Sequence, residues 1–347
     1  MEEKKLTICF FGIYNHEYAR NCVLINGLKQ NGVKILECRS DKNGLFKYLD
    51  LIKKHWEIRK HYDVLFVAFP GFQTMILARF LTRKKIVFDL FAPIYESEVF
   101  DRKTTKKGTL KAKYYCFLDW LSCKFANKIL LDTNENIKYF VRKFNIKREK
   151  FYRLFVGTDI SIFNPREKKE SNKFVVHFHG TNIPLQGIEY ILESAKILEK
   201  QKDIQFNIIG SSVKKQYGNY DLKNINFKEN VPYEKLCDFI NQSDICLGIF
   251  GNTGKTQKVI PNKVYECIAC RKPVITADTP AIKELFNEND LYLIPRANPE
   301  ELSKAILELK GNSILRGNLS QNGYNKLTQN CTPKILGEKL IDIINEK

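Results

Sequence analysis

The chain of 347 residues carries 57 Lys and Arg against 39 Asp and Glu, a formal charge of +18, with 44% hydrophobic and 28% charged residues. This length suits two domains, and the composition excludes disorder, collagen-like repeats and low complexity. No apolar run approaches the roughly 18 residues of a membrane span, and charges stand where a signal peptide would keep its apolar core, which predicts a cytoplasmic protein.

Short apolar runs alternate with longer amphipathic segments, the pattern of strand, helix, strand units around parallel sheets. Strands are predicted at 5–11, 33–38, 63–68, 85–90, 128–132 and 151–156, with helices at 18–30, 44–60, 73–82, 109–126 and 133–144. A polar stretch over 157–173, with Asn164-Pro165 as a turn signal, marks a boundary. Beyond it, strands are predicted at 174–179, 204–209, 225–228, 244–249, 273–276 and 290–294, and helices at 187–200, 233–241, 262–270, 280–286, 299–309 and 333–345. The expected organisation is α/β throughout: a first domain over 1–160, a linker over 161–173, a second domain over 174–330, and a C-terminal helix over 331–347 crossing back to the first. Two open α/β domains in tandem would face a cleft, with ligands at the carboxyl ends of the strands.

In the first domain, Gly12 permits a tight turn after strand one, and His16, Arg20 and Asn21 follow it at the expected cleft edge. Asp89 ends a strand, with Tyr95 just beyond, where a carboxylate could hold sugar hydroxyls or assist proton movement. Residues 101–153 hold 15 Lys or Arg and 5 Asp or Glu. Their helix interleaves Lys111, Lys113 and Lys124 with Tyr114, Tyr115, Phe117 and Trp120, a mixture suited either to an anionic membrane surface or to a solvated basic face.

The most informative segment is 244–285, which reads as strand, Gly-bearing loop, helix, strand and short helix. The loop carries Gly251, Gly254, Lys255 and Lys258, and Pro261 and Lys263 stand at the helix start, a seat for a diphosphate. The spacing of GNTGKT does not fit a P-loop, which needs four residues between its glycines. Glu266, in an apolar turn, is suited to a ribose diol. His177 and His179 alternate on one strand and read as packed histidines. Ten cysteines lie mostly in apolar runs and read as reduced thiols; Cys267 and Cys270 lack a second pair nearby, so they are read as helix packing and no metal is expected.

The segment resembles the donor-binding region of GT-B fold glycosyltransferases of family four, in which a helix glutamate precedes a G-K-P-V-I stretch, here Glu266 and Arg271-Lys272-Pro273-Val274-Ile275. The stretches 154–165, 174–198, 206–212 and 224–247 follow in that family's order. The resemblance implies two Rossmann-like domains, sugar transfer from a UDP-type or GDP-type donor with retention, no cofactor and no metal. It also implies an acceptor held by the first domain, expected to be a lipid-linked or cell-surface glycan precursor. Donor contacts are expected from Gly180, Thr181, Asn182, Gly210, Val231, Gly251, Asn252, Thr253, Lys263 and Glu266. Two departures stand out: Lys258 replaces the first of the family's paired glutamates, and Thr181 and Gln186 replace its usual Arg and Lys. Lys255 and Lys258 are expected to supply the missing charge, with Asp89 as the third catalytic candidate. Gly12, His16, Arg20, Asn21 and Tyr95 are the acceptor-side candidates. The rival readings are a nucleotide-sugar epimerase, which needs acid and base groups flanking the sugar, and a nucleic-acid-binding protein, for which no groove-reading motif is present.

Overall fold

A computed structural model describes residues 5–346, which fall into two compact units. The first runs to Val156 and includes the residues from Cys331 on; the second is Gly157–Asn330.

The first unit contains β1 (Thr7–Gly12), α1 (Ala19–Gln30), β2 (Lys34–Arg39), α2 (Phe46–Ile58), β3 (Val64–Val67), α3 (Phe72–Leu81), β4 (Lys85–Asp89), the short turn α4 (Ile94–Glu96), α5 (Leu110–Phe125), β5 (Lys128–Leu131), α6 (Asn134–Phe144) and β6 (Phe151–Arg153). Its sheet is parallel in the order β2-β1-β3-β4-β5-β6. β3 and β5 are buried along their whole length, which explains why they read as continuous apolar runs rather than alternating ones. The order reverses between β1 and β3, so the loops after those strands flank a natural binding crevice.

The second unit contains β7 (Phe174–His179), α7 (Ile188–Ile197), β8 (Ile204–Ile209), α8 (Ser211–Tyr217), β9 (Ile225–Lys228), α9 (Tyr233–Asn241), β10 (Ile245–Leu247), α10 (Asn262–Ala269), β11 (Val274–Ala277), β12 (Tyr292–Ile294), α11 (Pro299–Gly311) and α12 (Ser313–Asn330). Its parallel sheet runs β12-β11-β10-β7-β8-β9, the dinucleotide-fold order, with the switch point between β7 and β10. Two Rossmann-like units are therefore present, as the alternation of elements predicts.

The structure departs from the sequence reading in several places. The helix expected over 280–286 is a single 3-10 turn at Ile282–Glu284, started by the Thr279 hydroxyl, which accepts from Ile282 N at 3.2 Å. Helices α8 and α12 were not foreseen; α12 buries only Leu319, Gly323 and Leu327, too thin a stripe to stand out in so polar a stretch. Residues 161–173, expected as a linker, are tied to the second unit. Phe163 is fully buried against Tyr233, Arg166 N donates to Asn241 Oδ1 at 2.7 Å, and Lys168 pairs with Asp244 at 2.6 Å.

The C-terminal helix α13 (Pro333–Asn345) belongs to the first unit and crosses α1 at Gly27 and Gly337. A Cβ on Gly27 would lie 2.1 Å from Pro333 O, so only glycine admits this approach. Lys85 and Lys128 donate to the last carbonyls of α13, at 2.8 Å from Ile344 O and 2.6 Å from Ile343 O, where cations complement a helix C-terminus.

Candidate functional site

At the switch point of the second unit, four loops meet. Gly180 closes β7, and Asn182 beyond it touches α8 at two points: its N donates to Ser212 Oγ at 2.9 Å, and its Nδ2 to Gln216 Oε1. Gly210, between β8 and α8, packs directly on Gly180, because a Cβ there would fall 2.1 Å from Gly180 O. Ser211 and Asn230 exchange two hydrogen bonds, at 2.8 and 2.9 Å, joining the loops after β8 and β9. Gly251 N donates to Leu185 O at 3.1 Å, which joins the loop after β10 to the loop after β7.

Lys263, in the first turn of α10, is buried and points back at Gly180. Its ammonium donates to Gln186 Oε1 and stands 3.7 Å from the centroid of the Phe178 ring. A Cβ on Gly180 would be 2.7 Å from this nitrogen, so glycine is what lets the ammonium reach the loop backbone. Burial pushes the Lys263 pKa well below the usual lysine range, with Cys267 and Glu266 opposing that shift. The Gln186 side chain, where the family resemblance implies a lysine, thus accepts from Lys263.

Three residues further along α10, Glu266 is buried, and each of its oxygens has a partner: Tyr233 Oη donates to Oε1 at 2.9 Å, and His179 Nε2 lies 2.8 Å from Oε2. His179 Nδ1 is 2.9 Å from His177 Nε2. His177 is fully buried, and desolvation, with the neighbouring His179 and Lys263, drives its pKa well below the ordinary value. The two histidines do pack, but they form a chain ending on Glu266, a link that neither spacing nor composition revealed. Period-two alternation does place both rings on one face of β7.

The remaining loop candidates lie close by. Thr181 and Asn252 are exposed, Val231 is half-buried just before α9, and Lys255 and Lys258 are half-buried in the turn ahead of α10. The Thr253 hydroxyl accepts from Thr256 N at 3.2 Å, and Arg296 Nη1 reaches Thr253 O at 3.4 Å. With its amide turned to present oxygen, Gln257 accepts from Arg296 Nε at 3.0 Å. Arg296 thus braces this turn, a role the sequence did not signal. Cys270 lies 3.8 Å from Cys237 as a packed thiol pair. Among the described residues, no cluster of three or more His, Cys, Asp or Glu could hold a metal ion.

The first unit has its own cavity of about 340 Å³ after β1, β3 and β4, walled by Tyr18, Phe69 and Phe72, with Asn15, Glu98 and Arg102 as polar members. Asn21 is buried beneath it and donates to Asn15 O at 3.0 Å and Phe69 O at 2.8 Å, bracing two wall loops. Gly12 closes β1, with Thr74 Oγ1 3.3 Å from where its Cβ would stand. His16 lies at the surface, 3.4 Å from Glu37. Tyr95 stacks under Lys143, whose nitrogen is 4.0 Å from the ring centroid.

Two assignments need correction. Asp89 and Arg20 are completely buried and paired, with Arg20 Nη2 2.9 Å from Asp89 Oδ1 and Nε 3.0 Å from Oδ2. Arg20 Nη1 also donates to Leu154 O and Phe155 O at 2.9 Å. A carboxylate enclosed in this way cannot meet a sugar hydroxyl or shuttle a proton to solvent, so Asp89 is no catalytic candidate. Arg20 likewise does not face an acceptor.

Residues 159–326 match the family described as Glycosyl transferases group 1. An uncharacterized glycosyltransferase of Methanocaldococcus jannaschii is 26% identical over 152 residues, 42% of this chain and 41% of that protein, so the match spans about two fifths of its length. Among solved structures, sucrose-phosphate synthase from Thermosynechococcus elongatus superposes with a TM-score of 0.76 at 11% identity, covering 98% of each chain. Anabaena HepE, solved in complex with UDP-glucose, gives 0.73 at 14% identity, covering 98% of this chain and 99% of that one. These two likenesses establish a shared GT-B fold.

Proposed function

We propose that this chain, which belongs to the group 1 glycosyl transferases, moves a sugar from a nucleoside diphosphate donor to a glycan acceptor. The observation that carries the reading is Lys263: a buried ammonium in the first turn of α10, pressed against the Gly180 backbone at the sheet's switch point. A departing diphosphate needs positive charge near its oxygens, and this ammonium and the N-terminal N–H groups of α10 would together supply it in a water-poor setting. Glu266 accepts one hydrogen bond on each oxygen and keeps lone pairs for a ribose diol. The HepE complex with UDP-glucose favours a UDP-type donor.

The aromatic walls of the first unit's cavity suit the C–H faces of a sugar, which makes it the acceptor seat in this reading. The acceptor is taken as a lipid-linked or cell-surface glycan precursor. Retention of configuration and independence from bound metal follow from the family resemblance.

Thermal shift and calorimetry with UDP, GDP and short duplex DNA test the reading. UDP or GDP should raise the melting temperature, and Lys263→Met should weaken nucleotide binding about tenfold or more, the usual worth of a charge-assisted hydrogen bond. Stabilisation by DNA alone, or nucleotide affinity untouched by Lys263→Met, would overturn it.

A further inference from the structure

We propose that the outer face of α2 and α5 in the first unit docks on an anionic lipid bilayer. A helix lying over a sheet ordinarily turns its apolar stripe inward. Leu45, just ahead of α2, and Leu49, Ile52 and Trp56 on it recur at helical spacing yet are 78, 60, 38 and 65% exposed, while Leu51 and His55 form the buried face. Leu110, Tyr114 and Phe117 of α5 repeat the arrangement at 84, 53 and 52%.

Helix α3 lies between the two. Tyr48 of α2 donates to Gln73 of α3 at 2.6 Å, and Ser122 of α5 donates to Phe72 O of α3 at 2.8 Å. Phe80 of α3 adds a further ring, 78% exposed. The three helices form one layer, and both stripes project from it.

The surrounding charge selects the occupant. Residues 101–125 hold seven Lys or Arg against two Asp, and one of these, Asp119, is buried. Lys106, Lys107, Lys111 and Lys113 are exposed around the α5 stripe. Beside the α2 stripe, the Arg59 guanidinium lies 3.5 Å from the Trp56 ring centroid. Apolar side chains and interfacial rings bordered by cations match the headgroup region of an anionic membrane. Nucleic acid would use the cations and leave the leucines in water. A second copy meeting this face across a two-fold axis would bring lysines against lysines.

The proposal stands on the first unit alone and does not depend on the transferase reading. If both hold, Arg102 in the cavity wall lies only a few residues before the Leu110 stripe, which suits an acceptor carried on lipid.

The test uses the full chain and vesicles of phosphatidylcholine with or without phosphatidylglycerol. The chain has two tryptophans, so Trp120→Phe leaves Trp56 as a sole reporter. Phosphatidylglycerol vesicles should shift Trp56 emission to shorter wavelength and carry the wild-type protein in flotation, with binding about tenfold or more weaker to neutral vesicles and at high salt. The double variant Leu49→Ser/Leu110→Ser should lose about tenfold in vesicle affinity with an unchanged melting temperature, since both side chains are exposed. Equal binding to neutral and anionic vesicles, or unaltered binding by the double variant, overturns the proposal. So does a lipid-free dimer that the double variant dissociates, which would mean that a second copy covers this face. No nucleotide enters these assays, so their failure is separate from failure of the transferase reading.

Discussion

His179 Nε2 stands 2.8 Å from Glu266 Oε2, and this contact ties the end of β7 to α10. The other ring nitrogen, His179 Nδ1, lies 2.9 Å from His177 Nε2, so the two rings and the Glu266 carboxyl form one chain of contacts. His177 Nδ1 is buried and has no hydrogen-bond partner among the described residues. Glu266→Gln places an NH2 where either His179 or Tyr233 already donates. The mismatch should cost about 1–3 kcal/mol, read as a lower midpoint in urea unfolding. Tyr233→Phe, which removes a single hydroxyl, should cost less than Glu266→Gln.

Lys263 should couple nucleotide binding to proton uptake. An arriving diphosphate raises a pKa that burial has depressed, so the complex holds more protons than the free protein. Calorimetry of UDP binding in buffers of different ionisation enthalpy should register that uptake, and Lys263→Met should abolish it. Stability carries the same signature. Between its depressed value and the ordinary lysine pKa, the unfolded chain binds more protons at Lys263, so this residue makes stability rise with pH across that window. Lys263→Met removes the slope and should melt higher than wild type at neutral pH, by roughly 2–4 °C per kcal/mol recovered.

The sequence carried the architecture far because most strands of the parallel sheets are largely apolar runs, as in FVVHFH of β7, and most connections are helices of legible period, as in α7. It carried Glu266 and Lys263 to one turn of α10 for the same reason. What escaped was long-range pairing. Arg20 and Asp89 are 69 residues apart, and nothing local tells a strand-end carboxylate facing solvent from one closed by a guanidinium. Gln186 meeting Lys263, and Tyr233 meeting Glu266, are likewise products of packing. The outward stripe on α2 reads in sequence as an ordinary amphipathic helix, because periodicity gives the spacing of a face and not its direction.

Removing one member of the Arg20–Asp89 pair should be far worse than removing both. Asp89→Asn leaves a buried guanidinium without its counter-charge, a loss of about 3–5 kcal/mol. The double variant Arg20→Met/Asp89→Leu should recover much of that stability, measured by urea unfolding as a double-mutant cycle. UDP affinity should not change in either, because the nucleotide candidates all lie in the second unit. A well-folded Asp89→Asn protein that lost only turnover would return Asp89 to the chemistry.

Asp119 gives the first unit a pH dependence of opposite sign to that of Lys263. Its carboxylate accepts from Ile94 N at 3.1 Å and Tyr95 N at 3.0 Å, holding the segment that carries Ile94 and Glu98 into the cavity wall. Burial nevertheless raises its pKa to about 7, outweighing those two backbone hydrogen bonds and the charge of Lys143. Between the ordinary aspartate value and about 7, the folded chain binds the extra proton, so stability falls as pH rises through that window, by at most about 1.4 kcal/mol per pH unit. Asp119→Asn keeps an acceptor for the backbone N–H groups but cannot ionise. It should therefore flatten the profile, matching or exceeding the wild-type melting temperature above about pH 7 and losing that advantage near pH 5. Wild-type and Asp119→Asn profiles of the same slope from pH 5 to 8 would show that Asp119 is already ionised at the lower pH.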